Sequence, residues 1–378
     1  MKTRIGVIFG GRSGEHEISM RSALTVIEQM DREKYSVVPI AIDQTGQWLD
    51  PRTSAALLPA PAAASIESDV KEVPADAIAF IGDPKYRGLM DLDSSGGDHA
   101  VHRIDVVFPV LHGTYGEDGT IQGMCEMADI PYVGCGVLAS SCGMDKVIMK
   151  SLFNQAGLPI CKHEWLLRSA WESNPDEIVQ RIESAIRYPC FVKPANLGSS
   201  VGISRAETGQ ELRRAIDLAA EFDRKIIVEE SLKMREIECA VLGNDDPQAS
   251  LPGEYIIRNK EKAFLDYTEK YSGTGNNEFV VPAPLSTELS NKIREYAVTA
   301  FKAVDGSGLA RVDFFLRTDN GALLVNEINT MPGLTNASGY PKMWEGSGKP
   351  FREVIDELIH LAIDRHRDRS RNKTSRIV

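Results

Sequence analysis

Apolar residues fall into short runs separated by amphipathic stretches and glycine loops. Residues 4–9 form a run too short for a typical helix and predict a buried strand. The loop Gly10-Gly11-Arg12-Ser13-Gly14-Glu15-His16-Glu17 follows, and helical periodicity then runs over about 18–30. Residues 35–42, crowded with valine and isoleucine, predict a second strand. Strand, glycine loop, helix, strand opens a parallel α/β sheet, whose ligand sites lie at the carboxyl ends of the strands. Residues 106–111 repeat the pattern and end in His112-Gly113-Thr114-Tyr115-Gly116-Glu117-Asp118-Gly119. Between them, 50–75 is rich in Ala, Pro and Ser, and 84–100 in Gly and Asp. Both predict surface excursions rather than core.

A helix through Lys146 and Lys150 opens a second unit, with strands at 190–193 and 226–229 around a helix at 211–221. The last unit is strand-rich, with long helices at about 287–304 and 350–365. A chain of 378 residues exceeds one compact core. The pattern predicts three domains, 1–140, 141–229 and 230–378, with an α/β amino-terminal part and an α+β carboxyl-terminal half.

Charge narrows the function. A net charge of −11 without a basic stripe argues against nucleic-acid binding. The one basic cluster, 365–376, predicts a solvated helix end that frays. The apolar start is too short for a signal-peptide core or a membrane span. The six cysteines show no zinc-ligand spacing, which predicts reduced, buried thiols in a cytoplasmic protein.

The sharpest chemical signal is a hairpin, Arg311-Val312-Asp313-Phe314-Phe315-Leu316 and Ala322-Leu323-Leu324-Val325-Asn326-Glu327-Ile328-Asn329, around an Asp-Asn-Gly turn. Alternation puts Arg311 and Asp313 on one face, and Glu327 and Asn329 on one face. If the loop has an odd count, Asp313 opposes Glu327 and Arg311 opposes Asn329; a one-residue slip separates them. Two carboxylates and an amide oxygen suit magnesium shared with nucleotide phosphates. The competing possibility is a solvated face with cross-strand ion pairs.

A second signal, Phe191-Val192-Lys193-Pro194-Ala195-Asn196-Leu197-Gly198-Ser199-Ser200, delivers a lysine and then a loop whose amides can cradle phosphate. It is not a Walker loop, because the lysine precedes the glycines. Glu229-Glu230 ends a strand where a hinge could hold adenine, with Glu236 near ribose. Lys270-Tyr271 lies in a glycine-bearing stretch of the kind that forms lids. Of the candidate bases His16, His112 and His163, only His112 ends a strand in a glycine loop; His163 is expected to be structural.

In this order, the motifs around Gly10, His112 and Asn326-Glu327-Ile328-Asn329-Thr330-Met331-Pro332-Gly333-Leu334-Thr335 resemble the D-alanine–D-alanine ligase family of the ATP-grasp fold. The resemblance spans about residues 4–365. It implies ATP as phosphoryl donor and Mg²⁺ or Mn²⁺, two ions, on Asp313, Glu327 and Asn329. Lys146 and Lys193 would hold phosphates, and Lys270 would close over the γ-phosphate. Glu229, Glu230 and Glu236 would hold the nucleoside; Glu230 stands where some members carry lysine. Glu15 would take the first D-alanine's ammonium, with His112 near its carboxylate, and Ser338 the second's carboxylate. Arg311 and the Gly333 amide would form the oxyanion hole, and Ser199 and Tyr271 would link Glu15 to the lid. A homodimer is also implied.

By the same resemblance, the Lys270-Tyr271 lid pair implies an amine acceptor, because relatives that make D-alanyl-D-lactate lack it. Tyr271→Phe is expected to lower turnover about tenfold, the equivalent of one hydrogen bond of roughly 1.4 kcal/mol, while ATP affinity by fluorescence titration stays unchanged. Unchanged turnover would remove Tyr271 from the mechanism.

Overall fold

In the computed structural model, residues 2–70, 78–92, 101–198, 201–257 and 277–373 are described. Strand β1 (Thr3–Gly10) is buried along residues 5–10, which explains its lack of polar alternation. It pairs in parallel with β2 (Tyr35–Ile42), Ile8 opposite Ile40. The chain then forms a small antiparallel sheet of β3 (Ile78–Phe80), β4 (Gly88–Asp91) and β5 (Val101–Arg103). Strand β6 (Val106–Val110) returns beside β1, Val7 opposite Phe108, giving the parallel order β2-β1-β6.

One sequence expectation fails here and a second holds only in part. The described part of 50–75 is not a surface excursion: it folds into helices Pro51–Ala56 and Ala60–Val70. Asp50 caps the first by accepting from the Arg52 and Thr53 amides. Ala55, Leu58, Ala62 and Ile66 enter the core, three or four residues apart. These positions keep helical spacing, half of them alanines, and are hidden by a proline-rich composition. Within 84–100, Leu89 on β4 is likewise fully buried.

The second sheet is antiparallel, with β7 (His163–Leu167), β8 (Cys190–Pro194), β9 (Ser204–Ala206) and β10 (Lys225–Glu230) in the order β7-β10-β8-β9. Helices Pro175–Ala185 and Gly209–Phe222 cover one face, packing Ile182 and Ile216 with Val192 and Val228. Alternation sends Lys193 and Glu229 to the other face.

The third sheet has β11 (Met234–Gly243), β12 (Gln248–Ala249), β13 (Gly253–Ile257), β14 (Asn277–Val280), β15 (Gly308–Arg317) and β16 (Leu323–Asn329). Its order is β14-β13-β11-β15-β16, with β12 on β11. Helices Lys146–Gln155 and Thr287–Ala303 pack beneath, setting Met149, Phe153 and Phe301 against Val312, Phe314 and Ile328. The opposite face is left for polar residues.

The last helix, Phe351–Arg369, crosses back to the first sheet, where Ile355 and Leu358 share a core with Val7, Val37 and Phe108. Its basic end is exposed over 367–373 as expected, but its start is docked, against expectation. Arg365 donates to the Tyr132 carbonyl at 2.8 Å, to the Gly134 carbonyl and to Ser307 Oγ, and it stacks 4.3 Å from the Tyr132 ring centroid. His366 meets Asp129 at 2.9 Å, and Arg369 pairs with Glu126. Apart from Ser307, these partners lie more than two hundred residues away, so the sequence pattern shows only a polar tail. Arg365→Ala would strand two carbonyls and is expected to cost about 2–4 kcal/mol, read as a lower urea midpoint with an unchanged m-value.

Candidate active site

The carboxyl end of the parallel sheet is built first. Gly10 and Gly11 take φ of +87° and +95°, and a Cβ on Gly10 would overlap the Ile42 carbonyl. Ser19 Oγ accepts from the Gly10 amide at 2.7 Å and donates to the Val110 carbonyl, tying β1 to β6. Ser13 Oγ donates to the His112 carbonyl at 2.8 Å. These bonds bring the loops carrying Glu15 and His112 together.

His112 is buried, with Nδ1 at 3.0 Å from the Met331 carbonyl and Nε2 at 3.0 Å from Ser22 Oγ. Burial pulls the imidazole below its ordinary value, against the opposing Glu15 charge, which favours the neutral ring. Glu117 accepts from the Gly113 amide at 3.1 Å; burial first, then the Glu15 charge, push its carboxyl well above the usual range.

On the third sheet, Arg311 opposes Asn329 and Asp313 opposes Glu327. The route to this register differs from the odd-loop expectation. The Arg317 amide bonds the Ala322 carbonyl, so the turn holds 318–321, an even count. A β-bulge beyond Asp313 then supplies the missing residue: Asp313 pairs with Glu327 but Phe314 with Val325, leaving Asn326 unpaired. Arg311 grips Asp313 through two 2.7 Å bonds, and Asn329 Nδ2 donates to Asp313 Oδ2 at 3.1 Å. Burial lifts the Asp313 carboxyl to about 6, with Arg311 opposing the rise.

Above this face sits a buried charge cluster. Glu229 accepts from Lys193 at 2.6 Å and pairs with Lys150 at 2.8 Å. Lys150 is 1% exposed and also donates to the Asn326 carbonyl at 3.0 Å. Burial disfavours the Glu229 charge, yet the two ammoniums more than offset this and hold its carboxyl far below the usual range. Lys146 Nζ donates to the Leu197 carbonyl at 2.7 Å, at the root of the glycine loop. Glu230 Oε1 accepts from the Lys162 amide at 2.8 Å.

One cavity of about 520 Å³ is shared by Glu15, His112, Lys146, Lys193, Glu229, Glu230, Glu236, Arg311, Asp313, Glu327, Asn329, Gly333 and Ser338, while Lys150 stands behind Glu229 outside its lining. Ser338 is buried at the N-cap of the helix Gly339–Gly346. Ser199, Lys270 and Tyr271 lie outside the described residues. Among the described residues, no three His, Cys, Asp or Glu side chains form a preformed metal cage. Asp313, Glu327 and the Asn329 amide still supply a hard oxygen set that fits a divalent cation shared with phosphate.

Comparison with known proteins decides the family. Residues 4–135 match the D-ala D-ala ligase N-terminus and residues 152–360 the D-ala D-ala ligase C-terminus. The chain belongs to the D-alanine–D-alanine ligase family. A D-alanine–D-alanine ligase of Natranaerobius thermophilus is 45% identical over 99% of this chain and 98% of its own. One of Heliobacterium modesticaldum is 45% identical over 100% and 99%. The solved D-alanine–D-alanine ligase of Coxiella burnetii superposes with a TM-score of 0.80 at 38% identity, covering 98% of this chain and 96% of that one. The VanG D-Ala:D-Ser ligase of Enterococcus faecalis gives 0.80 at 34% identity, covering 96% and 100%. The fold is therefore ATP-grasp, as the motif order implied.

Two cavity-lining residues, Glu117 and Glu238, and the buried Lys150 that grips Glu229 escaped the sequence reading. Lys150 had a signal: four residues after Lys146, it shares that lysine's helix face. Glu117 stood inside a quoted motif. Glu238 is two residues after Glu236 on one strand, so the two share a face. The five buried cysteines carry thiols pushed up by burial, Cys161 to about 11, so the surroundings do not favour a thiolate.

Lys150→Met would leave Glu229 with one ammonium and is expected to cost roughly 3 kcal/mol at neutral pH. Because Glu229's carboxyl lies below its ordinary value of 4.5 when folded, this stabilisation is present above 4.5 and lost as pH falls from there. Urea melts of both proteins across that window should show the gap narrowing with acid.

Proposed function

We propose that this cavity joins two D-alanine molecules into D-alanyl-D-alanine, with ADP and phosphate released, for peptidoglycan precursor synthesis. The carrying observation is that the Asp313–Glu327 register pair and the Lys193–Glu229 pair line one cavity in a chain of this family. A free carboxylate is a poor acyl donor, because its oxygen is a poor leaving group. Transfer of the γ-phosphoryl to the first D-alanine's carboxylate gives an acyl phosphate and ADP. The second D-alanine's amine attacks the acyl carbon, forms the C–N bond and expels phosphate.

Lys146 and Lys193 hold the phosphates of ATP. Glu229 fixes Lys193 and, with Glu230 and Glu236, forms the nucleoside end. Asp313, Glu327 and Asn329 would hold Mg²⁺ or Mn²⁺, two ions by resemblance, whose charge offsets that of the phosphates. Glu15 takes the first ammonium, with neutral His112 beside that substrate's carboxylate, and Ser338 takes the second carboxylate. Arg311 and the Gly333 amide stabilise the tetrahedral oxyanion. Lys270, Tyr271 and Ser199 close the site, shielding the acyl phosphate from water. Family resemblance supports these roles, and it also supports a homodimer acting in the cytoplasm. Among the described residues, no helix is long and apolar enough to cross a membrane.

Phosphate release with ATP and magnesium should be rapid with D-alanine and at background with L-alanine. Equal rates for both enantiomers, or none for either, would overturn the assignment.

A further inference from the structure

One buried carboxylate lining the cavity has no part in the roles above. Glu238 lies mid-strand in β11, 4% exposed, opposite Asp313 on one side and Gly253 on the other. Its Oε2 is 3.5 Å from Arg311 Nε, and Arg311 also donates twice to Asp313 at 2.7 Å. The same oxygen packs against Gly339, where any Cβ would collide with it. Gly339 is the first residue of the helix Gly339–Gly346, and Ser338 is its N-cap. A carboxylate and the positive end of a helix therefore share one corner of the cavity.

An α-amino acid carries its ammonium and carboxylate on a single carbon. Its complement is a negative and a positive group set side by side, which is what this corner presents. We propose that Glu238 binds the ammonium of the incoming second amino acid while the Ser338–Gly339 helix end takes its carboxylate. Glu238 thereby selects an amino acid over a hydroxy acid as acceptor. The inference rests on the assignment of Ser338 to the second substrate's carboxylate. Glu15 does the same work for the first ammonium, from the amino-terminal loops, so each zwitterion has its own carboxylate. Glu238 is a recognition group, and it makes and breaks no bond. A hydroxy acid of the same shape offers Glu238 only a neutral hydroxyl, so the charge at this position favours the amine. Gly339 belongs to the device, because a side chain there would displace the carboxylate from the helix end.

The test uses the full chain with ATP and magnesium, and compares Glu238→Gln with Glu238→Asp. Hydroxylamine, neutral near pH 7, replaces the zwitterionic acceptor and traps the acyl phosphate as hydroxamate. Glu238→Gln should raise the KM for the acceptor D-alanine about tenfold or more, and raise the D-lactate to D-alanine product ratio similarly, matching one lost charged hydrogen bond. The KM for the donor D-alanine and the hydroxamate rate should move less than about twofold, and Glu238→Asp should recover part of the acceptor affinity. An unchanged acceptor KM in a folded Glu238→Gln protein overturns the proposal. Dipeptide and hydroxamate falling together also overturns it, since that marks a structural role. If Glu238→Gln fails to fold by circular dichroism, Glu238→Asp decides: a raised acceptor KM with an unmoved donor KM supports the role, and no change in either sinks it. Absence of dipeptide from the unaltered protein would instead defeat the parent assignment.

Discussion

The grip of Glu229 on Lys150 and Lys193 is the constraint on which the site depends. Its three side chains come from β10, from the helix Lys146–Gln155 and from β8. Lys150 reaches on to the carbonyl of the bulged Asn326. One buried carboxylate thus joins the second sheet to the third, and Lys193 to the hairpin that bears Asp313 and Glu327. A buried ion pair is weak evidence for stability, because desolvation offsets much of its attraction. Its value here is positional. Removing one ammonium leaves the other charges buried, and the two walls of the cavity lose their common reference.

Around that anchor the charges are balanced in layers. Arg311 neutralises Asp313 and lies near Glu238, so the carboxylate-rich face is held together by one guanidinium. Glu15 and Glu117 form a second acidic region, beside neutral His112. The cavity is therefore polarised, with lysines towards the second sheet and carboxylates towards the third sheet and the amino-terminal loops.

Much of this was legible because strands encode faces with a period of two. Alternation put Arg311 with Asp313, and Glu327 with Asn329, on shared faces, and the strand–loop–helix–strand order gave the parallel opening of β1 and β2; the cross-strand pairing itself came from the bulge. Other features have no local signature. The carbonyl of the bulged Asn326 is held by a lysine 176 residues earlier, a partner that nothing in the hairpin itself signals. Composition hid the helices across 51–70, since a stripe of alanines is helical in spacing but faint in hydrophobicity. Arg365 and its neighbours looked solvated because their partners are distant carbonyls and acids. Lys150 was missed for a related reason: a lysine on a helix is ordinarily at the surface, and burial requires a partner that the helix does not reveal.

The bulge has a further consequence for how the hairpin can change. It lies between the turn at 318–321 and the polar face, and its carbonyl is held by Lys150 rather than by the turn. Alignment of the two strands at the site is therefore set from outside the hairpin. The tip is mechanically insulated from the chemistry. Loops of other lengths or foreign peptides grafted between Arg317 and Ala322 have room to vary, while Asp313 stays opposite Glu327.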